Sequence, residues 1–245
     1  MAQGSRPRGR GRTRLAKRVN VAAAVLSAAQ LLLAAPSVRG DNVLLLGRSV
    51  DGRPIIAREV GDPDGTRILV VGCIHGNEPA GIAVARRLAR SSPPNIDLWI
   101  VPDLNPDGKA AGTRGNAHGV DLNRNFPFRW RPRRGVYESG PHPLSEPEAR
   151  IAYRLILRLR PDVSIWFHQH LELVWGSGGN ASLERRFARI SGLPYRRLPA
   201  LDGSAIDWQN HRLPGTTAFA AELPAGPASP RAVERYVRAV LALGR

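Results

Sequence analysis

The stretch Arg67-Ile68-Leu69-Val70-Val71-Gly72-Cys73-Ile74-His75-Gly76-Asn77-Glu78-Pro79 decides how this chain folds. Arg67 to Val71 is a short, mostly apolar and β-branched run, the mark of a buried strand. From Pro79 to Arg90, Ile82, Ala85 and Leu88 recur at helical spacing. His75 is therefore predicted at the carboxyl end of a strand, and Glu78 on the first turn of a helix. Open α/β sheets gather their ligands at that edge. An imidazole nitrogen and a carboxylate oxygen there can share one divalent ion, zinc before others. The same pair also reads as a turn histidine that caps a helix, beside a Glu drawn to the helix dipole.

Outward from this turn the chain alternates strands with helices. Asn42–Leu46 and Pro54–Val60 read as strands joined by the Asp51-Gly52 hairpin signal, and Ile96–Val101 as another strand. From Pro102 to Pro143 the sequence is rich in Gly, Pro, Asn and Arg and has little periodicity, which predicts a long functional loop. Asn105-Pro106-Asp107-Gly108 inside it carries a turn signal. Ser145-Glu146-Pro147-Glu148 reads as a capping box opening a helix with Ile151, Leu155 and Leu159 on its apolar stripe. Asp162 to Phe167 is a strand ending at His168, and Thr216 to Ala221 a strand ending at Glu222. Helices are expected over Ser182–Ile190 and from Ser229-Pro230 to about Leu243. The pattern predicts one domain, a three-layer α/β/α sandwich with a mixed, mostly parallel sheet.

Three strand ends thus carry candidate groups: His75 with Glu78, His168, and Glu222. A catalytic zinc takes three protein ligands and leaves one position open. His75, Glu78 and His168 supply such a set, one Zn2+ per chain, and Glu222 remains as a free carboxylate able to take a proton from water. His168-Gln169-His170 offers two imidazoles for the third place, since residues two apart on a strand share a face. Arginines and asparagines of the long loop are natural partners for a carboxylate. They could also serve only to pin the loop, by pairing with Asp121 or with backbone carbonyls.

In these segments the chain resembles the zinc metallocarboxypeptidases of the carboxypeptidase A/B type, and in particular the compact bacterial branch that includes murein peptide amidases. The matching residues are His75-Gly76-Asn77-Glu78, Asn105-Pro106-Asp107-Gly108, Arg114 to Pro127, Gly140-Pro141 with Ser145 to Glu148, and Glu222-Leu223-Pro224, in the family's order. The resemblance implies that His75, Glu78 and His168 are the zinc ligands and that Glu222 is the general base. It implies that Asn123 and Arg124 hold the substrate's terminal carboxylate and that Arg114 polarises the scissile carbonyl. The family ligand closes its strand, which favours His168 over His170 and leaves His170 facing substrate. Ser204 and Asp207 fall in the segment that selects the terminal side chain, where Asp207 could attract a basic or zwitterionic group or pair with an arginine. The family's substrate-covering Tyr has no counterpart just ahead of Gly203. The implied substrate is a peptide with a free C-terminal carboxylate, possible wall peptides included. Two alternatives remain: a deacylase of N-acyl amino acids, and a non-catalytic envelope binder on the same scaffold.

The 245 residues are 42% hydrophobic, enough for one domain with a full core. The single cysteine, Cys73, excludes an intrachain disulfide framework and a cysteine-based metal site. Eight of the +16 formal charges fall in residues 1–40, which contain no acid, and an apolar run from Val21 to Ala35 follows the basic start. That order predicts an export leader over 1–40, cleaved or kept as an anchor, ahead of a catalytic domain over 41–245. It predicts an extracytoplasmic location, with membrane contact only through an uncleaved leader. The charge concentrated in the leader, and the lack of an aromatic-basic platform, argue against nucleic acid as a partner. A monomer is expected.

Overall fold

The computed structural model describes Met1 and residues 42–244. The expected leader therefore lies outside the described residues, and among those described no helix is long and apolar enough to cross a membrane. Eight strands form one sheet: β1 (Asn42–Arg48), β2 (Pro54–Gly61), β3 (Thr66–Val71), β4 (Ile96–Val101), β5 (Val163–Gln169), β6 (Leu173–Gly176), β7 (Tyr195–Arg197) and β8 (Thr217–Leu223). Their order is β1-β2-β4-β3-β5-β8-β6-β7. The central four, β4, β3, β5 and β8, run parallel, while β2 and β6 pair antiparallel with β4 and β8. The expected mixed, mostly parallel sandwich is what forms.

Strand alternation splits the core in two. Ile68, Val70, Ile165, Phe167, Phe219 and Ala221 face one side, packed by α1 (Ala80–Leu88), α4 (Ala181–Ser191) and α6 (Pro230–Leu241). Leu69, Val71, Trp166, Ala218 and Ala220 face the other, packed by α3 (Pro147–Leu159) and α5 (Ala205–Arg212). Both faces of β3, β4, β5 and β8 are covered, which explains the apolar runs Ile68 to Val71, Leu98 to Val101, Ile165 to Phe167 and Ala218 to Ala221. The predicted stripe Ile151, Leu155 and Leu159 is buried as expected.

Four local expectations change. Glu78 precedes α1 instead of lying on its first turn: its N–H bonds the His75 carbonyl at 3.0 Å, and Pro79 is the N-cap. Asn105-Pro106-Asp107-Gly108 opens a short helix, α2 (Pro106–Ala111), because Asn105 Oδ1 caps the Gly108 N–H at 2.9 Å and Pro106 takes the first helical position. No capping box forms at Ser145, since Glu148 is drawn away to the Val50 N–H and to Asn116. Strands β6 and β7 and helix α5 were not anticipated; four- and three-residue strands are too short to show a period.

Candidate metal centre and cleft

His168 continues the Trp166 face of β5, and Glu222 continues the Ala220 face of β8, by the two-residue period of a strand. The parallel ladder sets them side by side, His168 opposite Glu222. Both therefore emerge on the α3/α5 side of the sheet, where the long loop folds over the strand ends.

The turn after β3 brings His75 and Glu78 to the same place. Gly72 N bonds the Val101 carbonyl at 2.9 Å, and Leu104 N bonds the Cys73 carbonyl at 2.9 Å. Asn105 Nδ2 donates to the carbonyls of Ile74 and Arg114 at 3.1 and 3.3 Å. Asn105 thus ties the cap of α2 to the backbone just before His75. Gly76 is needed for this approach, because a Cβ there would lie 1.9 Å from the Gly108 carbonyl carbon.

His75 Nδ1 and Glu78 Oε2 are 3.0 Å apart, and His168 Nδ1 is 3.1 Å from each. A cation bound tetrahedrally to nitrogen or oxygen at 2.0–2.1 Å would need ligand atoms roughly 3.3 Å apart. Three acceptor-capable atoms in a near-equilateral triangle of that size fit one divalent ion. The rest of the shell agrees. His75 Nε2 lies 2.9 Å from Asp121 Oδ1, which commits that nitrogen and turns Nδ1 to the trio. One oxygen of the neighbouring Glu222 carboxylate, Oε2, is buried without a partner, a polar atom the chain itself leaves unsatisfied.

At Glu78, Asp121 and His75 burial and neighbouring charge pull in opposite directions. Burial works to raise the Glu78 pKa, but hydrogen bonds from His168 and then His75 override it and hold the carboxyl below the usual range. Burial likewise opposes the Asp121 charge, and His75 followed by Arg114 and Arg124 overcomes it. For His75 burial favours the neutral ring, yet Asp121 and Glu78 raise its pKa on balance.

The trio opens into a cavity of about 670 Å³ that also exposes Arg114, Asn123, Arg124, His170, Ser204 and Glu222. The structure thus brings together nine of the ten residues expected from sequence. Asn123 Oδ1 accepts from Ala205 N at 2.9 Å, and Arg124 is tethered by its Nη1 to the Asn123 carbonyl at 2.7 Å. Arg114 is engaged on both sides, to Glu78 Oε1 and Asp121 Oδ2 at 2.9 Å each. The loop-pinning role weighed for the arginines is thus present in Arg114 alongside its place in the cavity. His170 lies on the cavity wall, one step beyond the trio and outside it.

The tenth residue, Asp207, does not face the cavity. Its carboxylate accepts hydrogen bonds from Ser177 Oγ, Ser204 Oγ and Leu201 N, and the side chain is buried under the start of α5. Ser204 is the N-cap of that helix, so Asp207 serves the cap and not a ligand. The cavity wall beside it is Ile206. Trp208 packs against Phe126 and Tyr153, with ring centroids 5.6 and 4.6 Å away.

Two residues escaped the sequence reading in whole or part. Asp121 was foreseen as a partner for arginine but not for His75. Tyr137 was not singled out. It follows from Gly135 in a short 3-10 helix, lines the cavity, and lies 5.3 and 5.4 Å from the guanidinium carbons of Arg114 and Arg124. Tyr195, near in sequence to the pocket segment, donates its hydroxyl to Glu184 at 2.8 Å instead.

Residues 41–189 match the family model described as zinc carboxypeptidase. Murein peptide amidase A of Escherichia coli K12 is 33% identical over 150 residues, 52% of this chain, so the match spans 59% of that enzyme. Murein peptide amidase A of Vibrio campbellii is 31% identical over 217 residues, covering 80% of this chain and 85% of that one. The crystal structure of a murein-tripeptide amidase from Escherichia coli O157 aligns with a TM-score of 0.67 at 28% identity, over 85% of this chain and 94% of that one. Carboxypeptidase A from Helicoverpa armigera shares the fold, with a TM-score of 0.70 at 19% identity over 83% and 67% of the two chains.

Proposed function

Because this chain belongs to the zinc carboxypeptidase family, we propose that it is a zinc-dependent hydrolase of a peptide or amide bond next to a free C-terminal carboxylate, with murein peptides as its first candidate substrates. The observation that carries this reading is a single cavity holding the His75–Glu78–His168 trio, the Glu222 carboxylate and the Asn123–Arg124 pair. The murein assignment comes from the named amidases to which the chain is similar.

His75 Nδ1, Glu78 Oε2 and His168 Nδ1 would hold the zinc ion, with Asp121 fixing the His75 tautomer. Bound there, zinc supplies Lewis acidity toward the scissile carbonyl and makes water a stronger acid. Asn123 and Arg124 orient the substrate through its terminal carboxylate, an effect that converts binding into correct placement of the scissile bond. Glu222 takes the proton of the attacking water and returns it to the leaving amine. Arg114, which pairs with Glu78 and Asp121 on the cavity wall, would supply positive charge to the carbonyl oxygen as negative charge develops there.

The test is a release assay by mass spectrometry on the zinc-loaded full chain. Wall tripeptides, ordinary C-terminal peptides and N-acyl amino acids are compared, with Glu222→Gln as control. Release from the first two classes, lost in Glu222→Gln while zinc stays bound, is expected. Turnover confined to N-acyl amino acids would replace the peptidase reading with the deacylase one.

A further inference from the structure

The segment Phe128-Arg129-Trp130-Arg131-Pro132-Arg133 passes Asp202 and places three guanidinium groups on one carboxylate. Arg129 Nε, Arg131 Nε and Arg133 Nη2 lie 2.9, 2.7 and 3.4 Å from its oxygens. One carboxylate neutralises one guanidinium, so two positive charges stand in excess at this point. Anchoring a loop takes one such ion pair, and further exposed pairs add little stability.

The backbone that carries the three arginines is held in place. Trp130 Nε1 donates to the Ser139 carbonyl at 3.1 Å, and Arg133 N donates to Ser139 Oγ at 2.8 Å. Ser139 Oγ in turn donates to the Arg131 carbonyl at 3.0 Å, and Gly203 N bonds the Phe128 carbonyl at 2.8 Å. Ser139 is wholly buried. The backbone under the arginines is therefore fixed, which lowers the entropy lost when an anion docks.

Asp202, which the three arginines surround, lies between two residues of the cavity wall, although the arginines themselves do not line it. Leu201 and Ser204, on either side of Asp202 and Gly203 in sequence, line that cavity. The cluster's charge also reaches the carboxylate clamp: burial depresses the Arg124 pKa against the pull of Asp121, and Arg114 and Arg133 add to the depression.

We propose that Arg129, Arg131 and Arg133 form a second anion subsite, which takes a carboxylate of the substrate other than the terminal one. This rests on the carboxypeptidase reading above, in which Asn123 and Arg124 hold the terminal carboxylate. A second carboxylate within reach belongs to the side chain of the last or the next-to-last residue. The substrate class is then an acidic peptide with at least two carboxylates near its C-terminus. The excess charge also draws such peptides to the cavity mouth from solution, an effect that salt weakens.

The experiment compares kcat/KM for peptide pairs that differ only as Glu against Gln, at the terminal position in one pair and the penultimate position in the other. The protein is the zinc-loaded full chain, as wild type, Arg131→Gln and Arg129→Gln/Arg131→Gln. These two side chains are 59% and 64% exposed, and Arg133 keeps its contact with Asp202, so the loop stays anchored. Wild type is expected to favour the Glu member of one pair about tenfold, the scale of a charge-assisted hydrogen bond. The position of that pair identifies the source of the carboxylate. In the double variant and in 0.5 M salt (about a 4 Å screening length) the preference should fall toward one, with the Gln peptides unchanged. Arg131→Gln should fall between. Turnover with no Glu preference, or a preference that survives both substitutions, overturns the subsite alone. No release from any peptide overturns the peptidase reading, and the subsite with it.

Discussion

His75 Nε2 and Asp121 Oδ1 stand 2.9 Å apart, both wholly or nearly wholly buried, and the same Asp121 carboxylate takes Arg114 Nε on its other oxygen. One aspartate thus sets the tautomer of a metal-ligand candidate and holds Arg114 in the same cavity. Asp121→Asn keeps the shape and removes the charge. It is expected to lower zinc affinity by about 10–100-fold, read by competition with a chromophoric chelator. Unchanged affinity would mean that Asp121 only pins the loop.

Tyr137 spreads one ring across two guanidinium groups, Arg114 and Arg124, that would otherwise repel each other across the cavity mouth. Each such contact contributes about 0.5–1 kcal/mol at a partly exposed site. Tyr137→Ala is therefore expected to raise KM several-fold while leaving kcat close to wild type, and Tyr137→Phe to leave both unchanged. Steady-state kinetics on one peptide substrate decide it; equal loss in Ala and Phe would assign the role to the hydroxyl.

Gly76 has no room for a methyl group, since backbone and not a flexible side chain stands 1.9 Å from the Cβ position. Gly76→Ala must push the His75 turn away from α2. An overpacking cost near the upper end of the usual range, about 3 kcal/mol, is expected in urea denaturation, together with weakened metal binding.

Glu184 is buried beside Tyr195, and burial raises its pKa despite the Tyr195 hydrogen bond and the charges of Arg197 and Arg185. The folded state then binds a proton that the unfolded state has already released, so this residue's contribution is full below the ordinary carboxylate range. It is lost as pH rises through the elevated pKa. Glu184→Gln should accordingly raise Tm relative to wild type at pH 8 and by less at pH 4. A constant difference across pH would remove Glu184 as the titrating group.

Much of this was readable beforehand, because the central strands carry their own pattern. Ile68 to Val71 and Ile165 to Phe167 are apolar on both faces, as strands covered by two helical layers must be, and His75, in the turn beyond β3, and His168, at the end of β5, break those surroundings with side chains a core does not call for. That is why His75, His168 and Glu222 stood out. The Pro102–Pro143 stretch was opaque for the opposite reason. Its order comes from contacts distant in sequence, such as Asn116 with Glu146 and Glu148, or Asn125 with Ser139, and such contacts leave no period. Tyr137 belongs to this stretch and was invisible with it. Asp207 misled for a local reason: Ser204 three residues before it is a helix cap signal, and the capping role consumed a charge that had looked available to a substrate.

The register that sets His168 opposite Glu222 starts from Val163 opposite Thr217, anchored by Thr217 N on the Asp162 carbonyl at 2.9 Å. Distance from that anchor is counted in residues, and parity decides the side of the sheet. Loss of one residue between Val163 and Phe167 would send the imidazole to the opposite layer, among Phe187 and the other side chains under α4, while Glu222 stayed behind. Strands β5 and β8 can therefore exchange one aliphatic side chain for another over evolutionary time, but an insertion or deletion in either would separate His168 from Glu222 in one step. Length, more than composition, is what purifying selection should be found guarding in these two segments.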